Sequence, residues 1–264
     1  MLKLAIAGAA GRMGQTLLHA VDVNPKFTVV SALVREGHAS VGDVVKLSTE
    51  TVCYHTEFAD DAQCLVDFTT PQYSLRLLKQ CVAFNIPIVI GTTGFDAEQL
   101  EEIGKAASRI PVLLAPNTSL GVNLVLSLLR LAATAIGESA DIEVIEAHHR
   151  GKLDAPSGTA LRMGEVIAEA LGHSLSDVAV YGRKGFSDDA RPQDQIGFST
   201  IRAGNIIGDH TVLFALADET VEVSHRANSR ELFAKGALRG AEWLVGQPAG
   251  LYGMNDVLGI EKLV

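Results

Sequence analysis

The first half of the chain alternates short, continuous apolar runs with segments whose apolar residues recur at helical spacing. Leu2 to Ala7 is one such run, as expected for a parallel strand that is covered on both faces. The alternation continues to about residue 120 and predicts an α/β fold with parallel strands. The predicted strands are 2–7, 27–34, 52–55, 64–68, 87–90 and 112–115, and the predicted helices are 13–23, 73–84, 96–109 and 120–136.

The second half has a different pattern, in which most segments alternate apolar and polar residues with a period of two. Three of these segments are predicted to be antiparallel strands with one wet face. The predicted elements are a strand over 140–147, a helix over 159–171, strands over 195–203, 209–217 and 220–226, and a helix over 230–245. The polar, glycine-rich segment 181–193 is predicted to be a long surface loop. The change of pattern places a domain boundary near residue 120.

The composition and charge of the chain exclude some classes of function. The 264 residues carry a formal net charge of −9, which argues against general binding to nucleic acid or acidic membranes, because both need basic surface. Cys53, Cys64 and Cys81 form no Cys-x-x-Cys pair and are expected to be free thiols in a reducing compartment. The N-terminal apolar run is too short for a signal peptide, and no window is expected to reach the length of a membrane span. We therefore expect a cytoplasmic protein.

A glycine-rich turn, Gly8-Ala-Ala-Gly11-Arg-Met-Gly14, joins the first predicted strand to the first predicted helix. This context favours a dinucleotide-binding site. Gly8 permits the tight turn, Gly11 lets the backbone approach a pyrophosphate, and Gly14 allows close packing of helix on strand. The spacing is not the commoner G-x-G-x-x-G, so a glycine-rich turn of another α/β protein remains an alternative.

The end of the second predicted strand bears on which dinucleotide is bound. An NAD-binding fold usually has an acid there, but this chain has Val34-Arg35, with Glu36 one residue later. An arginine without the acid favours the 2′-phosphate of NADP, although Arg35 could also be a solvated loop charge. Two later strands end in Gly91-Thr-Thr and in Ala115-Pro-Asn-Thr118, at the edge where cofactors bind in such sheets.

The densest polar block runs from Glu146 to Ala160, between a predicted strand and a predicted helix. It contains two histidines, an arginine, a lysine and two carboxylates, and Ser157 is a plausible N-cap for the helix. A helix N-terminus favours anions. One alternative is a solvated, charged turn. The other is a metal site formed by His148, His149 and Asp154, but no further ligand stands at suitable spacing, so no metal is expected.

These residues resemble the 4-hydroxy-tetrahydrodipicolinate reductase (dihydrodipicolinate reductase) family of bacterial lysine and diaminopimelate biosynthesis. The resemblance covers the whole chain, and the Glu146–Ala160 block is its specific part. The segments that carry it are Gly8–Gly14, Asp67-Phe-Thr69, Gly91–Phe95, Glu146–Ala160, Arg202–His210 and Gly250–Asp256.

The resemblance implies a two-domain α/β architecture. A Rossmann-like dinucleotide-binding domain would comprise 1–119 and 229–264. A C-terminal α+β domain with an open mixed sheet, 120–228, would bind substrate and build a homotetramer. The implied activity is the NAD(P)H-dependent reduction of 4-hydroxy-tetrahydrodipicolinate, a small dicarboxylate, to tetrahydrodipicolinate, with NADPH or NADH as cofactor.

The resemblance also implies roles for individual residues. His148 and Lys152 match the proton donors, although Lys152 is more easily interpreted as a carboxylate clamp. The expected substrate-binding residues are His149, Lys152, Ser157, Gly158 and Thr159. The expected cofactor-binding residues are Gly8, Ala9, Ala10, Gly11, Arg12, Met13, Val34, Arg35, Gly91, Thr92, Thr93, Ala115, Pro116, Asn117 and Thr118.

Two positions depart from the family pattern. Many members have a glutamate where this chain has Val34, and some have an aromatic residue where it has Thr118. Both departures leave the choice between NADPH and NADH open. Two other functions also remain open: a related dehydrogenase acting on aspartate or homoserine, and a nucleotide-binding regulator that is not an enzyme.

Overall fold

The computed structural model describes residues 1–48, 51–59, 61–187 and 189–260. The strands are β1 Leu2–Ala7, β2 Phe27–Leu33, β3 Val44–Lys46, β4 Thr51–His55, β5 Cys64–Asp67, β6 Ile88–Ile90, β7 Pro111–Leu114, β8 Asp141–His148, β9 Ala179–Tyr181, β10 Ile196–Arg202, β11 Asp209–Ala215, β12 Thr220–Arg226 and β13 Gly250–Tyr252. The helices are α1 Arg12–Asp22, α2 Pro71–Phe84, α3 Ala97–Ala107, α4 Leu120–Ile136, α5 Gly158–Ala170, α6 Leu175–Val178, α7 Glu231–Leu244 and α8 Met254–Leu258.

The chain forms two compact units. The first contains Met1–Leu120 together with the described residues from Arg230 onward, and the second contains Gly121–Ser229. The first unit is therefore built from two separate stretches of the sequence. The second is one continuous stretch.

The first unit is an eight-stranded sheet with the order β13-β7-β6-β5-β1-β2-β4-β3. All its pairs are parallel except β3 with β4. Residues of β1 point alternately into two cores: Leu4 and Ile6 pack with α1 and α7, while Ala5 and Ala7 pack with α2 and α3. Burial on both faces explains why β1 is apolar throughout. The predicted strands and helices of this region are confirmed, whereas the three-residue strands β3 and β13 were not predicted.

The second unit is a five-stranded sheet with the order β12-β11-β8-β10-β9. The prediction of antiparallel strands holds for β11, which is antiparallel to both β8 and β12. It is wrong for β10, which is parallel to β8 and β9. Alternation reveals that a strand has one wet face but not its direction, and α5 supplies the crossover that a parallel neighbour needs. The segment predicted as a loop from Tyr181 begins with the last residue of β9.

Helices cover one face of this second sheet. Val144, Phe198, Val212 and Phe214 point from the strands into the core shared with α4 and α5. Positions on the other face alternate with these. Among them, Ile201 has 48% of its surface exposed.

Helix α4 corrects one expectation from the sequence. Together with the following 3₁₀ turn it spans Leu120–Ser139 and reaches a mean hydropathy of 1.7, so by length and composition it could cross a membrane. The expectation that no window reaches this length is wrong, because the polar residues within the helix are few and scattered. One side of the helix contributes Val125, Leu129 and Ala133 to the core of the second unit. On other sides, Leu124, Leu128 and Leu131 are 43–50% exposed.

Candidate active site

The carboxyl ends of β1, β2 and β5 surround a cavity of about 480 Å³ in the first unit. From β1 the chain proceeds to β2 on one side and later to β5 on the other, so the cavity lies at the point where the strand order reverses. Ligands of open α/β sheets bind at such points. Its lining residues are Gly8, Ala10, Gly11, Val34, Arg35, His38, Phe68, Thr69, Thr70, Gln72 and Tyr73.

The glycine turn fits a pyrophosphate. Gly8 has φ +69°, in the left-handed region, and a Cβ there would lie 2.9 Å from the carbonyl oxygen of Phe68. A Cβ on Gly14 would lie 2.2 Å from the carbonyl oxygen of Gly8, so α1 approaches the turn as closely as backbone allows. Gly11 is the N-cap of α1 and provides no side-chain cap. The first N–H groups of α1 are therefore available to an anionic ligand.

Asp67, at the end of β5, joins two loops that shape this site. Its buried carboxylate accepts hydrogen bonds from the hydroxyls of Thr69 (2.5 Å), Ser74 and Thr92 (3.0 Å). The Thr69 N–H also donates to the Thr92 hydroxyl at 2.8 Å. Burial raises the pKa of Asp67, and the hydroxyl hydrogen bonds oppose this shift without cancelling it. The loop after β5, which lines the cavity, is thereby fixed to the loop after β6.

Some of the predicted cofactor residues line this cavity, and the others lie outside its lining. Gly8, Ala10, Gly11, Val34 and Arg35 line the cavity. The remaining predicted residues are not in its lining: Ala9, Arg12, Met13, Gly91, Thr92, Thr93, Ala115, Pro116, Asn117 and Thr118.

Three of these outlying residues have clear positions. Gly91 stands directly behind the cavity wall, since a Cβ there would lie 2.3 Å from the ring of Phe68. Thr92 is engaged with Asp67. Thr118 is buried, and its hydroxyl donates to the carbonyl of Phe233 in α7 at 2.7 Å, so its side chain is committed to the backbone of α7.

Sequence reasoning missed part of the cavity wall, namely His38, Gln72 and Tyr73. The Asp67-Phe-Thr motif at a strand end and the proline that opens α2 were the signals that could have located this wall. Glu36, one residue beyond Arg35, forms an ion pair with Arg76 of α2 at 2.7 Å. The hydrogen bond from Arg76 lowers the pKa of Glu36. The carboxylate of Glu36 is therefore paired with a residue that does not line the cavity.

A buried acid–base cluster lies at the end of β8 in the second unit. The two-residue period of β8 places Glu146 and His148 on the helix-covered face, and both are more than nine-tenths buried. The Glu146 carboxylate contacts Arg202 through both oxygens (2.7 and 2.8 Å), the Nδ1 atom of His148 (2.6 Å) and the N–H of Ser157 (3.1 Å). Burial raises the pKa of Glu146, but the hydrogen bonds from Arg202 and His148 outweigh it, and the net pKa lies below its ordinary value.

The N-terminus of α5 adjoins this cluster. Ser157 is the N-cap, and its hydroxyl oxygen accepts from the Ala160 N–H at 3.1 Å. The same hydroxyl is 3.0 Å from Nε2 of His210. Gly158 and Thr159 are the first two residues of the helix, so their N–H groups have no carbonyl partner within it. This end of α5 can therefore bind a carboxylate beside His148.

Two further histidines extend the cluster across the sheet. His210 of β11 stands opposite Glu146 and also opposite His225 of β12. Burial and the neighbouring His148 lower the pKa of His210 to about 4, and burial also lowers the pKa of His225. Both rings are therefore neutral at pH 7. Neither histidine was predicted as a site residue, although His210 belongs to the Arg202–His210 motif that carries the family resemblance.

Lys152 lies in the same loop but has a different partner from His148. Its ammonium group pairs with the carboxylate of Asp154 at 2.8 Å. The hydrogen bond from Lys152 lowers the pKa of Asp154. Among the described residues, no group of three or more histidine, cysteine or acidic side chains could hold a metal ion.

The first unit has a cavity of the kind that binds dinucleotides, and the second has an anion-binding helix end beside a buried histidine. These features are typical of one class of protein, the pyridine-nucleotide-dependent oxidoreductases. Comparison with known proteins specifies the family. The model for the N-terminus of dihydrodipicolinate reductase matches residues 2–118, and the model for its C-terminus matches residues 121–258.

Relatives that align over the whole chain carry the same family name. The chain is 49% identical to the 4-hydroxy-tetrahydrodipicolinate reductase of Methylococcus capsulatus, with 99% of each chain covered. It is also 49% identical to that of Hahella chejuensis, covering 99% of this chain and 100% of the relative. A solved structure of dipicolinate-bound dihydrodipicolinate reductase from Paenisporosarcina sp. TG-14 superposes with a TM-score of 0.79 at 27% identity, covering 97% of this chain and 99% of that one.

The chain belongs to the dihydrodipicolinate reductase family, whose members are NAD(P)H-dependent oxidoreductases of lysine and diaminopimelate biosynthesis. The resemblance inferred from the motifs is thus confirmed. So is the fold class, a Rossmann-like α/β domain followed by a domain with a mixed sheet.

Proposed function

We propose that this chain reduces 4-hydroxy-tetrahydrodipicolinate with NADPH or NADH, binding the cofactor in the first unit and the substrate in the second. The observation that carries this proposal is the Ser157–Thr159 helix end beside the buried pair Glu146 and His148. It provides an anion site and a proton-carrying ring within one unit. Relatives of this kind are bacterial biosynthetic enzymes. A cytoplasmic location follows from this kinship, and the net charge of −9 argues against nucleic-acid and acidic-membrane partners.

The first unit would hold the dinucleotide at the Gly8–Gly14 turn, with Val34 and Arg35 beside its ribose. We also propose that Gly91 to Thr93 and Ala115 to Thr118 bind the cofactor from the carboxyl ends of the neighbouring strands β6 and β7. A bound nicotinamide supplies the hydride. The residues of the second unit bind and orient the substrate and supply the proton.

In the second unit, different residues bind the substrate and transfer the proton. Gly158 and Thr159 donate backbone N–H groups to one substrate carboxylate, and Ser157 holds the helix end in place. His149 contributes to the same site. Lys152 exchanges Asp154 for a substrate carboxylate, because both partners are carboxylates, and it can also donate a proton. His148 is the principal proton donor.

A turnover assay tests the reaction. The purified chain, supplied with a dihydrodipicolinate-generating system, should oxidise NADPH in proportion to substrate. It should not act on aspartate or homoserine. Reduction of NADP⁺ or NAD⁺ by either amino acid, together with no NADPH oxidation on the dihydrodipicolinate-generating system, would identify a related dehydrogenase. Cofactor binding without turnover on any of them would identify a regulator.

We expect the chain to use NADPH at least as well as NADH. Arg35 and His38 line the cavity, whereas Glu36 is paired with Arg76 and the position of Val34 lacks an acid. Replacing Arg35 by alanine should weaken NADPH binding about tenfold or more, the typical loss of a charged hydrogen bond, and NADH binding much less. Val34→Glu should shift the preference towards NADH by repelling the 2′-phosphate.

Titration of each dinucleotide against the substrate-free protein measures these affinities directly. Arg109→Ala is the matched control, because Arg109 lies in the same unit but away from the cavity, and it should change neither affinity. A strong NADH preference in the unmodified chain would show instead that Glu36 leaves Arg76 and reaches the ribose.

We also propose a homotetramer built through the second sheet. The helices α4 and α5 cover only one face of that sheet, so they do not bury Ile201 on the opposite face. The exposed leucines of α4 add further apolar surface. Sedimentation at micromolar concentration should show a tetramer, and Ile201→Glu should weaken it. A stable monomer of the unmodified chain would refute this assembly.

A further inference from the structure

We propose that Glu146 is a positioning residue that keeps a proton on Nδ1 of His148, which leaves Nε2 as the nitrogen that exchanges the catalytic proton. The inference rests on the proposed role of His148 as proton donor. It goes further by naming the atom and the residue that selects it.

Strand geometry explains why a carboxylate occupies this position. Glu146 and His148 are two residues apart on β8, so they share the helix-covered face with Ile142 and Val144. Arg202 of β10 is the register partner of His148. Its guanidinium therefore reaches the same carboxylate. The cation compensates a charge that would otherwise be costly to bury.

The hydrogen bonds determine the direction of the contact with histidine. Each oxygen of Glu146 faces two partners: Oε1 contacts Arg202 Nη2 and the Ser157 N–H, and Oε2 contacts Arg202 Nη1 and His148 Nδ1. The first three are obligatory donors. An ionised carboxylate can only accept, so the 2.6 Å contact requires a hydrogen on Nδ1. This holds whether the ring is neutral or charged.

The opposite nitrogen, Nε2, lies beside a glycine. A Cβ on Gly208 would come within 3.1 Å of that atom. The φ of Gly208 is outside the left-handed region, so backbone conformation does not require a glycine here. A glycine at this position instead keeps a side chain from crowding Nε2.

The other titratable and charged groups around the ring support the same assignment. They are Arg202 from β10, His210 from β11 and, behind it, His225 from β12. Arg202 remains a cation, and both histidines have lowered pKa values and stay neutral at pH 7. Neither neighbouring histidine competes to hold the proton that His148 transfers.

Glu146→Gln tests the inference, because an amide can donate to Nδ1 and allow the other tautomer. We expect kcat to fall about 10- to 100-fold, the usual loss when the partner that orients a functional histidine is removed. The pH profile of kcat should also change, because a neutral amide replaces the carboxylate beside the ring. NADPH affinity should not change, since the cofactor cavity lies in the first unit.

Glu143→Gln is the matched control. Glu143 lies on the same strand, on the opposite face, and pairs with Arg183 and Arg191. It should leave kcat and its pH profile unchanged. If Glu146→Gln also left both unchanged while His148→Gln lost activity, the positioning role would be refuted and the proposed function would stand. If His148→Gln kept full activity, the proton-donor role itself would fail.

Nitrogen-15 NMR measures the tautomer of His148 directly in the ligand-free, unmodified chain. The His148→Gln variant serves only to assign the His148 signal. We expect the neutral ring of His148 to carry its proton on Nδ1 and none on Nε2. A neutral ring with the proton on Nε2 would overturn the inference, whatever the kinetics.

Discussion

Replacing His148 by glutamine should lower kcat at least about 100-fold, the lower range for loss of a general acid, with NADPH affinity unchanged. The ring is buried beside Glu146 and next to the helix end that we propose binds a carboxylate, so its loss should remove a proton donor rather than a binding group. Interactions made mainly in the transition state lower kcat, whereas those made equally in the ground state raise KM. Steady-state kinetics and cofactor titration distinguish the two.

The neighbouring residues should behave differently in the same assay. His149→Gln and Thr159→Ala are expected to raise KM more than they lower kcat. Lys152→Ala should affect both parameters, because the proposed role of Lys152 combines a substrate clamp with proton donation. If His148→Gln turned over at close to the original rate, the histidine would be a structural loop residue. The proton would then come from Lys152 or water.

Gly14→Ala should destabilise the first unit by about 3 kcal/mol, the upper part of the range for overpacking, and weaken NADPH binding together with it. A Cβ at this position would lie 2.2 Å from the carbonyl oxygen of Gly8 and 2.5 Å from Cα of Ala9. Both are backbone atoms of the glycine turn, which cannot rotate away as a side chain could. Chemical denaturation and dinucleotide titration would measure the two effects.

Gly104→Ala provides the control. Gly104 also lies in a helix of the same unit, α3, but nothing stands within 4 Å of its Cβ position. Alanine there should stabilise the chain by up to about 1 kcal/mol, the difference in helix propensity. If Gly14→Ala were as well tolerated, close packing of α1 on the turn would not be what this glycine provides.

The apolar pattern was sufficient to predict most elements of both units. Strands such as β1 are apolar throughout because they are buried on both faces, and α4 begins and ends at its predicted residues. The direction of β10 could not be predicted, because alternation along one strand carries no information about its neighbour. The strands β3, β9 and β13 have three residues each, too few to establish a period.

The parts of the candidate site that are continuous in sequence could be predicted. The contacts between residues of different strands could not. The glycine turn and the Glu146–Ala160 block are continuous in sequence, so their residue types were evident. Arg202 and His210 reach Glu146 and Ser157 only through strand register and the position of the α5 N-terminus. Asp67 likewise was part of a motif, but its hydroxyl partners come from three different segments.

The two-segment construction of the first unit has a consequence for the order in which the chain acquires structure during synthesis. Residues up to 120 leave the ribosome without α7, whose Ala234, Ala237 and Leu238 complete the core around α1 and β1. The continuous second unit can close its own core before that helix is made. The first unit therefore stays incomplete until the residues from 230 onward have been synthesised, and a premature stop after residue 229 would release a finished second unit attached to an open sheet.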